Sequence, residues 1–465
     1  MVYYAQKRDN RPSEASGGRP RMHIRVTNDW QEGRARPCSW ACAAFAAFLA
    51  SAALAAPERP DIVFVLVDSL KASHLGCYGY ARDTSPNLDR FANREAVRFE
   101  TVIPGGSWTQ PAVMTLFTSL PADEHMRVLP NVPHNPAAVT LAEALRGAGY
   151  ETVGITANTM TNRRYGYAKG FDLWDDYSAT LPPDAGIERI ASGYARGAVL
   201  TRMGLTRLKK RDPAKPLFLF LFYMDPHWDF NPPAPYDKRF SSTGLGPLRG
   251  AWRIGVDRAT PEIRRRTVDA YDGEIAYCDH AVSNLLAEVA RTPRWNDTVV
   301  VVMGDHGESF WERGFTGHGN HLHDEELKVP LVIRVPAGAR RIRPGTVVRG
   351  QVGGIDVAPT ILDLAGVPAP PSWKGRSLRV AMEAGESDGR PVVTETRIRA
   401  GLWQRGVRTD RHKVIAVGGF DAPSEAYDLV ADPGETNNLV RGGAPLPNGA
   451  AALVPLLKPA ERKGE

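Results

Sequence analysis

Acids and imidazoles in this sequence recur where apolar runs stop. Asp68 follows "DIVFVLV", Asp225, His227 and Asp229 follow "LFLFLFY", and Asp305 and His306 follow "TVVVVMG". Carboxylates and an imidazole brought together make a divalent-cation site. The imidazole favours manganese or zinc over calcium, with magnesium also compatible. The stretch "PGGSWTQPAVMTLFTSL" adds hydroxyls, with Ser107 and Thr109 ahead of Pro111, a residue suited to the first turn of a helix. Each hydroxyl is either an N-cap or a group at the positive end of a helix, where an anionic substrate would settle. Residue types alone leave both readings open.

The elements that must position these groups are legible. Five runs, Asp61–Val67, Thr152–Thr156, Leu217–Met224, Thr298–Met303 and Leu331–Val335, lack polar alternation and read as strands covered on both faces. Helical patterns lie between them. "SPNLDRFAN" has Ser85 as a cap before Pro86, and "YDGEIAYCDHAVSNLLAEVA" places Ile275, Cys278, Val282, Leu285 and Val289 on one stripe. On that core-facing helix Asp279 reads as structural. Strands alternating with helices predict an α/β fold with a largely parallel sheet, whose ligand crevice lies beyond the carboxyl ends of its strands. "GIDVAPTILDLAG" adds a helix with an Asp356 cap. The short pieces "PVVTETR", "WQRGVRTDRHKVIAV" and "EAYDLV" then predict a small antiparallel sheet.

Composition narrows the partners. The first 37 residues hold eight Lys/Arg against four acids and so carry +4 of the formal net charge of +6. The remainder is nearly balanced, and no nucleic-acid partner follows. An apolar, Ala-rich run from Cys38 to Leu54 after a basic flank, with Ala53-Leu54-Ala55 behind it, is laid out as a secretory signal. It predicts a periplasmic or secreted protein, with an uncleaved anchor as the alternative and Met22 as a candidate start. Cys77 and Cys278 then remain, and both read as buried free thiols.

In order, "VLVDSLKASHLGCYGYARDTSPNLDRFANREAVRFE", "SWTQPAVMTLFTSLPADEH", "YMDPHWDFNPPAPY", "AYDGEIAYCD", "VVVMGDHGESFWERGFTGHG" and "YDLVADPGETNNL" resemble the sulfatase family of the alkaline phosphatase superfamily. The resemblance runs from about Pro60 to Leu439. It implies an alkaline-phosphatase-like fold: a large mixed, mostly parallel sheet flanked by helices, with a small C-terminal four-stranded antiparallel subdomain. The expected organisation is a signal and tail over 1–56, a catalytic domain over 57–380, the small subdomain over 381–445 and a tail over 446–465.

The resemblance also assigns roles. Asp68, Asp305 and His306 match the metal-binding positions, implying one divalent ion; Ser69 stands where many sulfatases have a second Asp. Formylglycine sulfatases have Cys-x-Pro-Ser-Arg where this chain has Thr109, Pro111, Ala112 and Val113, so no formylglycine can form. Phosphoester- and phosphonate-cleaving relatives use an unmodified Thr or Ser there, which makes Thr109 the implied nucleophile, with metal coordination lowering its pKa. Ser107 falls out of register. His227 matches a residue that binds the transferred group or protonates the leaving oxygen, and His318 one near the metal or substrate. His125 matches a position of structural or substrate-binding role, and Asn158 the place of a sulfate-binding Lys. His321 and His323 stand where relatives often have Ser and Tyr, and read as polar loop residues, with ligands of a second metal as the alternative. His74 and His280 read as structural.

The implied activity is exported, metal-dependent hydrolysis of an anionic phosphate, phosphonate or sulfate ester. Two alternatives stay open: a head-group transferase of the same superfamily, and a degenerate, non-catalytic binding protein.

Overall fold

A computed structural model describes residues 59–126, 134–176, 194–241, 256–397 and 401–459. The N-terminal run read as a signal lies outside the described residues. Among those described, no helix is long and apolar enough to cross a membrane.

Fourteen strands are present among the described residues: β1 (Asp61–Val67), β2 (Val97–Ile103), β3 (Glu151–Thr156), β4 (Leu173–Asp175), β5 (Leu217–Tyr223), β6 (Thr298–Gly304), β7 (Ser309–Phe310), β8 (Thr316–Gly317), β9 (Leu331–Arg334), β10 (Val347–Gly353), β11 (Val392–Thr396), β12 (Gln404–Arg408), β13 (His412–Val417) and β14 (Glu425–Asp428). Eight form one sheet in the order β10-β2-β9-β6-β1-β5-β3-β4. Only β9 runs antiparallel to its neighbours in it. β11 to β14 form a separate antiparallel meander, and β7 pairs with β8.

The central strands are apolar throughout because both faces are covered. Along β1, Ile62, Phe64 and Leu66 enter one core cluster while Val63, Val65 and Val67 enter the other, as a two-residue side-chain period requires. The first cluster takes residues from helices α2 (Thr109–Thr118) and α5 (Val357–Leu364). The second takes residues from α1 (Pro86–Arg94), α3 (Gly197–Lys210) and α4 (Pro261–Ala290). Phe220 of β5 meets Phe64 at 5.5 Å and Phe117 of α2 at 5.0 Å between ring centroids. Truncating it to Ala would cost about 3–5 kcal/mol, loosening the helix that carries Thr109.

Several local expectations change. Helix α4 begins ten residues before Tyr271, because Thr260 accepts the Ile263 N–H at 3.2 Å and Pro261 occupies its first position. Ser85 does precede α1, yet its Oγ makes no cap and instead donates to Asp89 at 2.9 Å. Asp356 likewise caps nothing on α5; it accepts from Gly353 N and Arg376 N and pairs with Arg390. Cys278 is buried as expected, whereas Cys77 is partly exposed; both thiols are free. His74 is structural, with Nδ1 2.8 Å from Asp272. Residues read as tail beyond 446 include Ala450, Leu453 and Leu457, which pack into the apolar cluster beneath the small sheet with Val407 and Val414.

Candidate active site

The register of the large sheet builds the site. Val67 of β1 stands opposite Gly304 of β6, so the next residues, Asp68 and Asp305, emerge side by side at the carboxyl ends of adjacent parallel strands. The Asp68 N–H donates to Tyr223 O at 3.0 Å and the Asp305 N–H to Val67 O at 3.2 Å, so the ladder fixes both backbones. Ser69 then turns the chain at φ 56°, in the left-handed region that a residue with a side chain enters at some cost. The turn aims its N–H at Asp305 Oδ1 (3.0 Å) and its Oγ at Asp68 Oδ1 (3.0 Å). Where a third carboxylate would have added negative charge, a hydroxyl and an amide hold the other two.

His306 completes the group. Its Nδ1 is 2.9 Å from Gly307 O, a pure acceptor, so Nδ1 carries the proton. The lone pair on Nε2 is left 3.3 Å from Asp305 Oδ2 and 3.6 Å from Asp68 Oδ1. Burial, with His318 next in importance, pushes the His306 imidazole down to about 3, so it is neutral near pH 7. Burial first, and then the neighbouring Asp68, push the Asp305 carboxyl well up. Asp305 Oδ2 is buried without a hydrogen-bond partner. An imidazole lone pair among crowded carboxylate oxygens, all buried and within 4.8 Å of one another, is the donor set of a divalent cation. The residues fit that ion.

Thr109 is not the cap of its helix. The N-cap of α2 is Trp108, and Thr109 is the first helical residue. Its Oγ1 lies 3.4 Å from His306 Nε2 and 3.3 Å from Asn158 Nδ2. Asn158 follows β3, and its Oδ1 accepts the Met160 N–H at 2.7 Å, which orients the amide. Nδ2 therefore also donates to Asp68 Oδ2. The Gly-Gly turn before α2 is a close-packing device: a Cβ on Gly106 would lie 2.6 Å from Pro111 Cγ and 2.7 Å from the Glu395 carbonyl of β11. Ser107 is also buried, but its Oγ has no hydrogen-bond partner.

Two more imidazoles extend the site. The His318 ring lies 4.3 Å from that of His306 and 5.1 Å from that of His227, centroid to centroid. Glu308 Oε2 is 3.1 Å from His318 Nδ1 and orients it. His227, beyond β5, has Nδ1 2.6 Å from Trp228 O, so Nε2 is the nitrogen with freedom to exchange a proton. The sequence thus points to Asp68, Asp305, His306, Thr109, Asn158, His227 and His318, and these converge. His125, at the end of the short helix Ala122–His125, is fully buried and meets α2 away from this group, with Nε2 3.0 Å from Thr115 Oγ1, six residues beyond Thr109. Glu308 went unrecognised although it sits in "GDHGES". A carboxylate three residues after the metal-type Asp305 was the available signal.

Acids and an imidazole at the carboxyl edge of this sheet, facing a helix-borne hydroxyl, define an ester hydrolase of the alkaline phosphatase superfamily. The chain belongs to the sulfatase family, whose model matches residues 60–367, and a model of the N-sulphoglucosamine sulphohydrolase C-terminal region matches 312–445. It is 27% identical to the multifunctional alkaline phosphatase superfamily protein PehA of Trinickia caryophylli, over 82% of this chain and 91% of that protein. It is 24% identical to an arylsulfatase of Clostridium perfringens, over 82% and 90%. In fold it is similar to the phosphonate monoester hydrolase of Agrobacterium radiobacter, with a TM-score of 0.66, 22% identity and coverage of 82% and 92%.

Proposed function

We propose that this hydrolase is exported, depends on one divalent metal, and cleaves a monoanionic phosphorus ester, a phosphodiester or a phosphonate monoester, with Thr109 as nucleophile. The observation that carries this reading is the neutral Asn158 amide bridging Thr109 and Asp68. With Val113 in place of the family's Arg and Asn158 in place of its Lys, two cations that would grip a dianion are missing. Electrostatic stabilisation of the transferring group is usually the largest catalytic contribution, so a dianion loses most from their absence. Support also comes from PehA, whose name describes a multifunctional enzyme of the superfamily.

Asp68, Asp305 and His306 would hold the cation, manganese or zinc by its donor set, and it would supply Lewis acidity that acidifies a hydroxyl and offsets charge on the substrate. Thr109 Oγ1, reacting as the alkoxide once its proton has passed to solvent, attacks phosphorus; the new O–P bond forms as the ester O–P bond breaks. His227 Nε2 gives the departing oxygen its proton. Glu308 holds His318 where it can donate to a non-bridging oxygen. Water then opens the phosphothreonine at phosphorus and returns the Thr109 alkoxide, His227 taking up the proton that the water loses.

A matched panel of aryl sulfate, phosphate monoester, phosphodiester and phosphonate monoester, assayed with manganese or zinc, tests this. The two monoanionic phosphorus esters should give the highest kcat/KM. Preference for the sulfate ester would return the protein to sulfatase chemistry without formylglycine. Export is read from the mature N-terminus, expected close to Ala56; an unprocessed cytoplasmic chain would exclude it.

A further inference from the structure

A second group of side chains among the described residues has the composition of a metal site. His321, His323 and Glu325, between β8 and β9, each offer a ligand atom within 4.8 Å of the other two. None of them has a part in the reaction above. The two histidines lie in a loop and are buried, 8% and 5% exposed, with rings 4.8 Å apart.

The hydrogen bonding around His323 is that of a metal ligand. Its Nε2 lies 2.9 Å from Glu425 Oε2 of β14 and 3.4 Å from the Tyr427 hydroxyl. A carboxylate oxygen accepts, so Nε2 carries the proton and Nδ1 keeps the lone pair. That Nδ1 is buried and has no hydrogen-bond partner among the described residues. A carboxylate on one ring nitrogen and a bare lone pair on the other is how protein sites orient metal-binding histidines. His321 Nε2 is 3.4 Å from Glu326 Oε1 and 3.6 Å from Glu325 Oε1, with Ser309 Oγ also at 3.4 Å, so Nε2 carries the proton; Nδ1 keeps its lone pair, met by the His323 N–H at a long 3.4 Å. Arg313 opposes a cation here, with Nε 2.7 Å from Glu325 Oε1. Its charge is shared with Glu435, 3.8 Å from Nη2. Three carboxyl groups, Glu325, Glu326 and Glu425, therefore surround the two imidazoles.

We propose that His321, His323 and Glu325 bind a second divalent cation, separate from the catalytic one. Two imidazoles and a carboxylate select a zinc-class ion over calcium or magnesium. The ion's role is to fasten the loop that follows His318 to the C-terminal sheet. Asp324, in the same loop, already pairs with Arg408 of β12 at 3.0 Å and Lys413 of β13 at 2.6 Å. His323 reaches β14 through Glu425, so a cation on its other face extends the same attachment.

The test is zinc stoichiometry by elemental analysis of the full chain, loaded with zinc and desalted through a weak chelator. Wild type should hold about two equivalents, and His323→Gln and the double variant His321→Ser/His323→Tyr about one each. Asp305→Ala, which leaves the histidine pair intact, should also hold about one, and added zinc should raise its Tm. If wild type holds one equivalent that Asp305→Ala removes, the second site does not exist while the catalytic reading stands. Undiminished zinc in a folded His323→Gln protein overturns the proposal as well. Should both histidine variants fail to fold, Asp305→Ala alone decides it.

Discussion

Asn158 Nδ2 donates to Thr109 Oγ1 across 3.3 Å, so the hydroxyl at the head of α2 is oriented by a neutral amide at the end of β3. The same nitrogen serves Asp68. Asn158→Lys would put a cation at this junction. It should raise kcat/KM for a phosphate monoester relative to a phosphodiester by about tenfold, or ~1.4 kcal/mol. Competition between the two substrates on wild type and variant measures the ratio; an unchanged ratio would detach Asn158 from charge selection.

Thr109→Ala should lower kcat/KM by about a thousandfold or more, ~4 kcal/mol of transition-state stabilisation. Because Thr109 makes no cap hydrogen bond to its helix, Tm should barely move. Ser107→Ala removes a hydroxyl that has no partner, so activity should stay within about threefold and stability should hold or rise slightly. Equal losses in the two variants would mean that the nucleophile has been misassigned.

Asp305→Ala should abolish catalysis and bound catalytic metal while leaving a folded chain. Removing Asp305 also removes half of a buried carboxylate pair, in which burial first and the Asp68 charge second push the Asp305 carboxyl up. In metal-free protein the variant should therefore unfold at the same temperature as wild type or higher. Thermal scans before and after chelation, beside metal analysis, give both answers; full activity in the metal-free wild type would defeat the assignment.

Glu395 supplies a pH dependence away from the metal. Burial, opposed by Arg405 and reinforced by Asp123, pushes its carboxyl up to about 7. The folded chain keeps a proton that the unfolded chain loses above its ordinary range. That contribution to stability is whole in acid and disappears as pH rises towards about 7. Glu395→Gln should gain on wild type by on the order of 2 kcal/mol between about pH 5 and about pH 8. Denaturant titrations at the two pH values measure it, and parallel curves would refute it.

What the sequence disclosed follows burial. β1, β5 and β6 are covered on both faces and announce themselves as unbroken apolar runs. β2 and β10 lie towards one side of the sheet with exposed and half-exposed positions, and β4 is three residues long, so none has a run to find. The acids at the sheet's carboxyl edge were legible because a parallel sheet gathers its strand ends on one side. The geometry of Ser69, Glu308 and the Glu425–His323 pair was not. Those contacts join residues 236, 10 and 102 positions apart, and no local pattern records such distances.

The Glu395 N–H donates to Gly105 O at 3.1 Å, and the Glu395 carbonyl faces Gly106, so the turn that presents Thr109 is closed from outside by strand β11. In a chain made from its N-terminus, that strand leaves the ribosome only when more than four-fifths of the residues have been joined. A nascent or truncated product ending before Val392 would hold Asp68, Thr109, Asp305 and His306 and still lack the strand that backs the Gly-Gly turn. Closure of that turn therefore waits for β11 to be in place.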